Sequence, residues 1–259
     1  MYDKELEFAK ALAREAGEIM RGYFGFDLKR EWKSNQTPLT MADTEINSLV
    51  IERIKEHFPG DSIHGEEESF KTDSNRLWVC DPVDGTMPFS HGLPISTFSL
   101  ALVIDGSPVL GVIYDPFMDR LFYAQKNSGA FCNTVPIHVS DQPLRNALIN
   151  VEAFPISGPA AASDHDSSII KSIEQLGAKT THLWSAIISF ALVAAGQYTA
   201  ALFNATYIHD LAAAKIIIEE AGGKTTDLFG NDQRYDQPTK GFIASNGVVH
   251  DELVKLFKK

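Results

Sequence analysis

Apolar side chains recur at helical spacing from residue 3 to residue 23. Leu6, Ala9, Leu12, Ala13, Ala16, Ile19, Met20 and Tyr23 form one stripe with charges opposite. The spacing predicts a scaffold helix. Lys29 to Leu39 is polar, with Ser34, Asn35, Gln36 and Pro38, and reads as an exposed loop. Thr40 then suits the cap of a second helix, about Met41 to Phe58, with Ile46, Leu49, Val50, Ile54 and Phe58 as its core face. Ile63 to Gly65 suggests a brief strand. Leu77 to Cys80 is a short apolar run, read as a buried strand. Asp81-Pro82 should end that strand, because proline fixes φ and donates no N–H. Asp84-Gly85 turns the chain. Thr86 then suits the N-cap of a short helix, with Pro88 in its first turn.

Beyond this point Phe98 to Ile104 and Pro108 to Tyr114 read as strands joined by an Asp105-Gly106 turn, and Leu121 to Gln125 as another. The first half is thus helices followed by an antiparallel meander, an α+β layout. From about Leu148 the pattern alternates, giving an α/β second half. Strand-like Leu148–Val151, Thr180–Leu183, Tyr198–Phe203 and Phe242–Ala244 are interleaved with helices near Ser167–Leu176, Ala186–Ala195 and Ile208–Ala221. Gly222-Gly223 stops the last of these, and an amphipathic helix, Val248–Phe257, follows. A soft boundary near residue 146 separates a metal-binding half, 1–146, from a half that completes the site, 147–259. No Gly/Ser linker marks it, so the halves should pack as one globular unit.

Charge narrows the partners. The 259 residues carry a formal net charge of -11, which argues against nucleic-acid backbones and anionic membranes. An anionic substrate would need local cations or backbone dipoles. Cys80 and Cys132 are too sparse for a disulfide framework or a zinc knuckle and fit a reducing cytosol. The N-terminus has no signal-peptide pattern, and the longest apolar run, Ala186 to Ala195, is too short to span a bilayer. A cytoplasmic enzyme is the expectation.

The candidate chemistry centres on Trp78 to Ser90. Two carboxylates, Asp81 and Asp84, and the Thr86 hydroxyl gather at a strand's end beside a helix start. Carboxylate oxygens suit a hard cation such as Mg²⁺, and helix N–H groups suit phosphate. Asp-Pro and Asp-Gly alone are ordinary turn formers. The whole string, Asp81-Pro82-Val83-Asp84-Gly85-Thr86, is more specific. It resembles the D-P-[IV]-D-G-T signature of the inositol monophosphatase-like family of metal-dependent, lithium-sensitive-type phosphatases. Other pieces follow in matching order over nearly the whole chain. Pro38-Leu39-Thr40-x-x-Asp43 is similar to the segment whose aspartate pairs with the signature threonine. Gly65-Glu66-Glu67 resembles the G-E-E element, with Glu67 and Glu68 read as a solvated face. Ser128 to Asn133 resembles the G-A-F-x-N turn. Asp210-Leu211-Ala212-Ala213 with Glu220-Ala221-Gly222-Gly223 resembles the second signature, W-D-x-A-A…E-A-G-G.

The resemblance implies a layered αβαβα sugar-phosphatase fold and two or three Mg²⁺ ions. It places Glu66, Asp81 and the Val83 carbonyl on one metal, with Asp81 bridging to a second held by Asp84 and Asp210. It implies a water nucleophile, positioned and deprotonated by Asp43 and Thr86, with Glu66 also in the catalytic group. Backbone N–H groups of Gly85 and Thr86 would hold phosphate. Homodimerisation is a further expectation of the family, as is a small phosphomonoester as the only other partner.

Departures bear on the substrate. Met87-Pro88 stands where the family often has Thr-Asn, and His209 stands where it usually has Trp; His209 is read as structural. Phe203, with Asn204 next, occupies the place of a glutamate that binds sugar hydroxyls in inositol-hydrolysing members. An aromatic ring cannot accept those hydrogen bonds, which weakens inositol phosphate. Histidinol phosphate, fructose 1,6-bisphosphate, adenosine 3′,5′-bisphosphate and nicotinamide dinucleotide phosphate remain open. Lys33, Ala186, Phe203 and Asn204 are the pocket candidates. Gly223-Lys224-Thr225 has the tail of a P-loop, but Ile218 occupies the required first glycine. G-x-S-x-G and H-E-x-x-H motifs are absent, which removes serine hydrolase and zincin readings. A non-catalytic metal- or phosphate-binding protein is the competing class. Retention of every acid and of Thr86 argues against it.

Overall fold

The structure is a computed structural model, and it describes residues 2–25, 30–32, 38–152, 161–204 and 206–258. In chain order the elements are α1 (Asp3–Tyr23), β1 (Arg30–Trp32), β2 (Pro38–Thr40), α2 (Met41–His57), β3 (Ser62–Gly65), β4 (Ser69–Phe70), β5 (Arg76–Asp84), α3 (Thr86–Ser90), β6 (Thr97–Ile104), β7 (Ser107–Asp115), β8 (Arg120–Gln125), β9 (Ala130–Cys132) and β10 (Val135–Ile137). There follow β11 (Leu148–Glu152), α4 (Ala161–Gln175), β12 (Lys179–Thr181), α5 (Ala186–Ala194), β13 (Ala200–Phe203), α6 (Ala212–Glu220), β14 (Lys224–Thr226), β15 (Phe242–Ser245) and α7 (His250–Phe257).

Two sheets and three helix pairs stack as αβαβα. The larger sheet has order β10-β9-β8-β7-β6-β5-β3-β4, antiparallel except where β3 runs parallel to β5. The smaller has order β12-β11-β13-β15-β14. Alternation along the central strands divides the larger sheet's two faces. Trp78, Cys80, Leu100 and Leu102 join the stripes of α1 and α2 in one core. Val79, Ala101 and Val103 face the other way, onto α5 and α6. The same core continues into Ala201, Phe203, Phe242 and Ala244 of the smaller sheet. Ile149, Ala200, Leu202 and Ile243 point outward from that sheet onto Ile169, Ile173 and Leu253 of α4 and α7. At Gly111 of β7 an added Cβ would lie 2.8 Å from the Ala213 carbonyl oxygen, so a side chain there would push α6 off the sheet.

Five expectations are corrected. Residues 30–32 and 38–40 are not loop but an antiparallel pair, Arg30 opposite Thr40, because each can satisfy the other's backbone groups. β5 does not stop at Asp81. It runs to Asp84, and a register shift between Asp81 and Asp84 accommodates Pro82, which tolerates a bulge. Gly85, at φ 77°, takes the N-cap position assigned to Thr86, since the left-handed turn there excludes a side chain. The segment read as a G-A-F-x-N turn holds strand β9, paired with both β8 and β10. α6 begins at Ala212, so Asp210 lies in the turn before it. Strands β4, β10 and β14, too short to show alternation, were not expected. Among the described residues no helix is long and apolar enough to cross a membrane.

Candidate active site

The parallel pairing of β3 with β5 brings the acids together. Gly65 lies opposite Cys80, and the Glu66 N–H donates to the Cys80 carbonyl at 3.2 Å. Glu66, just past the end of β3, and Asp81, still paired with Ser99 in β5, therefore lie side by side. The β5 bulge then turns Asp84 back toward the same place. Asp210, between β13 and α6, closes the group from the far half. Asp81, Asp84 and Asp210 each bring a carboxylate oxygen within 4.8 Å of the others.

Such an arrangement is costly without cations. Burial holds Asp81 well above the usual carboxylate range, and the charges of Glu66, Asp84 and Asp210 push it further. Burial and then Asp84 and Glu66 raise Asp210 similarly, opposed by a hydrogen bond with Asp81. The donors are hard oxygens in one cleft, which fits divalent cations such as Mg²⁺.

Asp84 is handled differently. Ser185 Oγ donates to it at 2.5 Å, and the Ala186 and Ile187 N–H groups at 3.2 Å and 3.0 Å. Its carboxylate thus satisfies the first N–H groups of α5, where the helix dipole favours negative charge. Thr97 Oγ1 adds a longer contact, 3.4 Å. Burial raises the Asp84 pKa to about 7, with the Ser185 hydrogen bond opposing and the Glu152 charge adding to it.

Beside this group, α2 begins with a capping box. Asp43 Oδ2 accepts from the Thr40 N–H at 2.9 Å and from Thr40 Oγ1 at 2.5 Å. Its other oxygen, Oδ1, accepts from Thr86 Oγ1 at 3.3 Å. Thr86 Oγ1 is also 3.0 Å from the Val83 carbonyl, and the Val83 N–H donates to Asp81 Oδ1 at 3.1 Å. Burial raises the Asp43 pKa to about 7 despite the Thr40 hydrogen bonds, and the charges of Glu66 and Glu67 add to it. Gly85 cannot carry a side chain: an added Cβ would sit 2.9 Å from Ser185 Cβ. The Gly85 carbonyl accepts from Ser96 Oγ at 2.8 Å.

The whole chain, residues 1–259, matches the Inositol monophosphatase family. The chain belongs to that family. It is 34% identical over 252 residues to the fructose-1,6-bisphosphatase/inositol-1-monophosphatase of Thermotoga maritima, covering 97% of this chain and 94% of that one. It is 31% identical over 255 residues to the histidinol-phosphatase of Chlorobaculum parvum, covering 96% and 95%. The solved structure of a Thermotoga maritima IMPase superposes with a TM-score of 0.88 at 32% identity, over 98% of this chain and 97% of that one. The αβαβα layering is that of the inositol monophosphatase family.

The pocket candidates fare unevenly. Lys33 lies outside the described residues. Ala186 is buried and reaches the site through its N–H to Asp84. Phe203 is 3% exposed and meets Phe190 edge-on at 6.3 Å within the core. Asn204, next to it, is half-buried. Sequence reasoning missed several neighbours. Glu67, read as solvated, is half-buried and grouped with Asp43 and Glu66. Ser185 could have been found, since serine before an apolar helix is a capping signal. Glu152, buried at the end of β11, accepts from Asn150 Nδ2 and the Leu183 N–H and faces His182 Nε2 at 3.2 Å. No local pattern announces it. His209, read as structural, has a ring nitrogen grouped with the carboxylates of Glu66 and Asp81.

Proposed function

We propose that this member of the inositol monophosphatase family is a Mg²⁺-dependent phosphomonoesterase hydrolysing a small phosphorylated metabolite. The observation carrying the proposal is the convergence of buried Asp81 and Asp84 and half-buried Asp210 within 4.8 Å of one another, beside the Thr86–Asp43 pair. Glu66, Asp81, Asp84, Asp210 and the Val83 carbonyl would hold the cations. Bound there, they would supply positive charge to the phosphoryl group and to the attacking and leaving oxygens.

The chain's own groups do the rest. Asp43 is fixed by Thr40 at one oxygen and meets the Thr86 hydroxyl with the other. A water hydrogen-bonded to Thr86 would be oriented toward the phosphorus and give its proton to Asp43. A carboxylate with its pKa near 7 is suited to that work at neutral pH. The backbone N–H groups of Gly85 and Thr86, at the start of α3, would cradle the phosphoryl oxygens.

Phe203, buried in the core, leaves no hydrogen-bond acceptor for sugar hydroxyls at that position, which supports a leaving group less hydroxylated than inositol. The test is phosphate release from inositol monophosphate, histidinol phosphate, fructose 1,6-bisphosphate, adenosine 3′,5′-bisphosphate and the dinucleotide phosphate, with Mg²⁺ and with EDTA. Mg²⁺-dependent turnover of one compound well above the others is expected, with inositol monophosphate not the best. Absence of turnover with all of them would overturn the proposal.

A further inference from the structure

The acids form two neighbouring groups that share Asp81. One is Asp81, Asp84 and Asp210, all oxygen donors. The other is Glu66, Asp81 and His209, whose ligand atoms also lie within 4.8 Å of one another. The second group contains an imidazole. His209 is 9% exposed, so its ring is not a solvent-facing side chain that happens to pass the site. Its position is held from three directions. The Tyr207 ring lies near-parallel at 5.3 Å and 12°, and the His64 ring at 5.9 Å and 18°. The main chain at His209 is tied to the larger sheet, since Ser99 Oγ of β6 donates to its carbonyl at 3.3 Å. A ring stacked against two others, beside two carboxylates, is pre-organised for a cation.

We propose that His209 is a direct nitrogen ligand of the cation held by Glu66 and Asp81, giving this family member one mixed nitrogen–oxygen metal position beside one all-oxygen position. The proposal rests on the metal-dependent reading above. Its consequence is ion choice. Imidazole favours first-row transition ions over Mg²⁺, which prefers oxygen donors and keeps its waters. The mixed position should therefore take Mn²⁺ in preference to Mg²⁺, while the all-oxygen position should discriminate less.

The test uses the full chain and two readouts besides turnover. Crystals grown with MnCl₂ should show an anomalous peak under about 2.5 Å from a His209 ring nitrogen, a metal–nitrogen bonding distance. Calorimetric titration of the metal-free protein should show Mn²⁺ affinity falling about tenfold or more in His209→Gln, the scale for losing a metal-site group, with Mg²⁺ affinity changed under about twofold. A His57→Gln control, at the exposed end of α2, should leave the Mn²⁺ affinity near wild type. A Mn²⁺ peak beyond bonding distance of His209, no peak beside Glu66 and Asp81, or equal loss of both ions in His209→Gln would each overturn the proposal. If His209→Gln fails to fold, the anomalous map of the wild-type protein decides. A nitrogen-bound ion in a protein that hydrolyses none of the panel would sustain this proposal and sink the functional one. Phosphatase activity with no ion at His209 would do the reverse.

Discussion

The two walls of the site are built on different terms. The wall from β3, β5 and the turn before α6 is a set of buried and half-buried like charges, with Asp81 2% and Asp84 7% exposed. The wall from the α5 approach and the turn after β13 presents large rings to solvent: Trp184 is 50% exposed and Tyr207 54%. Apart from Asp210, which shares the connection from β13 to α6 with Tyr207, the acid wall sits on strands whose register is set by hydrogen-bonded ladders. The aromatic wall sits on connecting turns. Trp184 even holds φ at 59°, a left-handed conformation that costs a non-glycine residue about 1 kcal/mol or more. Charges that must converge on a cation need a rigid support, whereas groups that meet a leaving group can vary without disturbing the sheet. In the proposed reading, the first wall sets the reaction and the second the substrate.

The largest expected effect lies on the acid wall. Asp84→Asn should lower turnover about a thousandfold or more, the scale for losing a group aimed at developing charge. The fold should survive, because the amide oxygen can still accept from Ser185 Oγ and the Ile187 N–H. Circular dichroism with a phosphate-release assay checks both. Near-normal activity would break the contrast. Asp43→Asn should cost about a hundredfold in kcat, as expected for removing a general base, with little change in KM. A loss in KM alone would move Asp43 from proton transfer to binding.

Next comes stability against pH. In the folded chain burial raises Asp43 and Asp84 to about 7, from an ordinary 3.8. The folded state then binds more protons than the unfolded one between those values. Their contribution is fully present below about pH 4 and is lost as pH rises through about 7. His250, buried between Thr226 and Ser245, has the opposite sign: burial lowers it from 6.5 to about 4. Its contribution is present above about pH 6.5 and lost as pH falls through about 4. Thermal melts of EDTA-treated protein should therefore drop by roughly 5 °C or more from pH 5.5 to pH 8. Mg²⁺ should remove most of that drop, since cations take over from protons at the carboxylates. His250→Gln should leave the alkaline drop intact. A metal-free protein equally stable at both pH values would show that the acid wall is not strained by its charge.

The smallest effect belongs to the aromatic wall. Trp184→Gly should change stability by about 1 kcal/mol or less, because relief of the left-handed backbone offsets the loss of the ring's contact with His182. Mg²⁺ affinity should not move, and KM for the best substrate should rise several-fold. An unchanged KM would place the ring outside the substrate's reach.

Much of this architecture was legible in residue order. Helical stripes at 3–23 and 41–57 and period-two strands are local patterns, and they survive in the fold. Three of the errors share a cause. The bulge at Pro82, the pair β1–β2 and strand β9 depend on a partner strand, and partners are absent from a local window. Of the site residues, Asp43, Thr86 and the Asp81–Asp84 pair stood out because they lie in short strings with capping or turn chemistry of their own. His209 and Glu152 did not, because nothing within a few residues distinguishes them from a turn histidine or a core-edge acid, and Ser185 announced only a cap, not its bond to Asp84.

The sequence by itself determined the periodic elements, the acidic balance and the Asp-Pro-Val-Asp-Gly-Thr string, all readable from neighbours a few positions apart. Only the tertiary structure decided that Asp84 would satisfy the start of α5, about a hundred residues later in the chain, or that His209 would join Glu66 and Asp81. Those contacts require the two sheets to close on α5 and α6, and burial energy spread over many side chains drives that closure. No single motif encodes it.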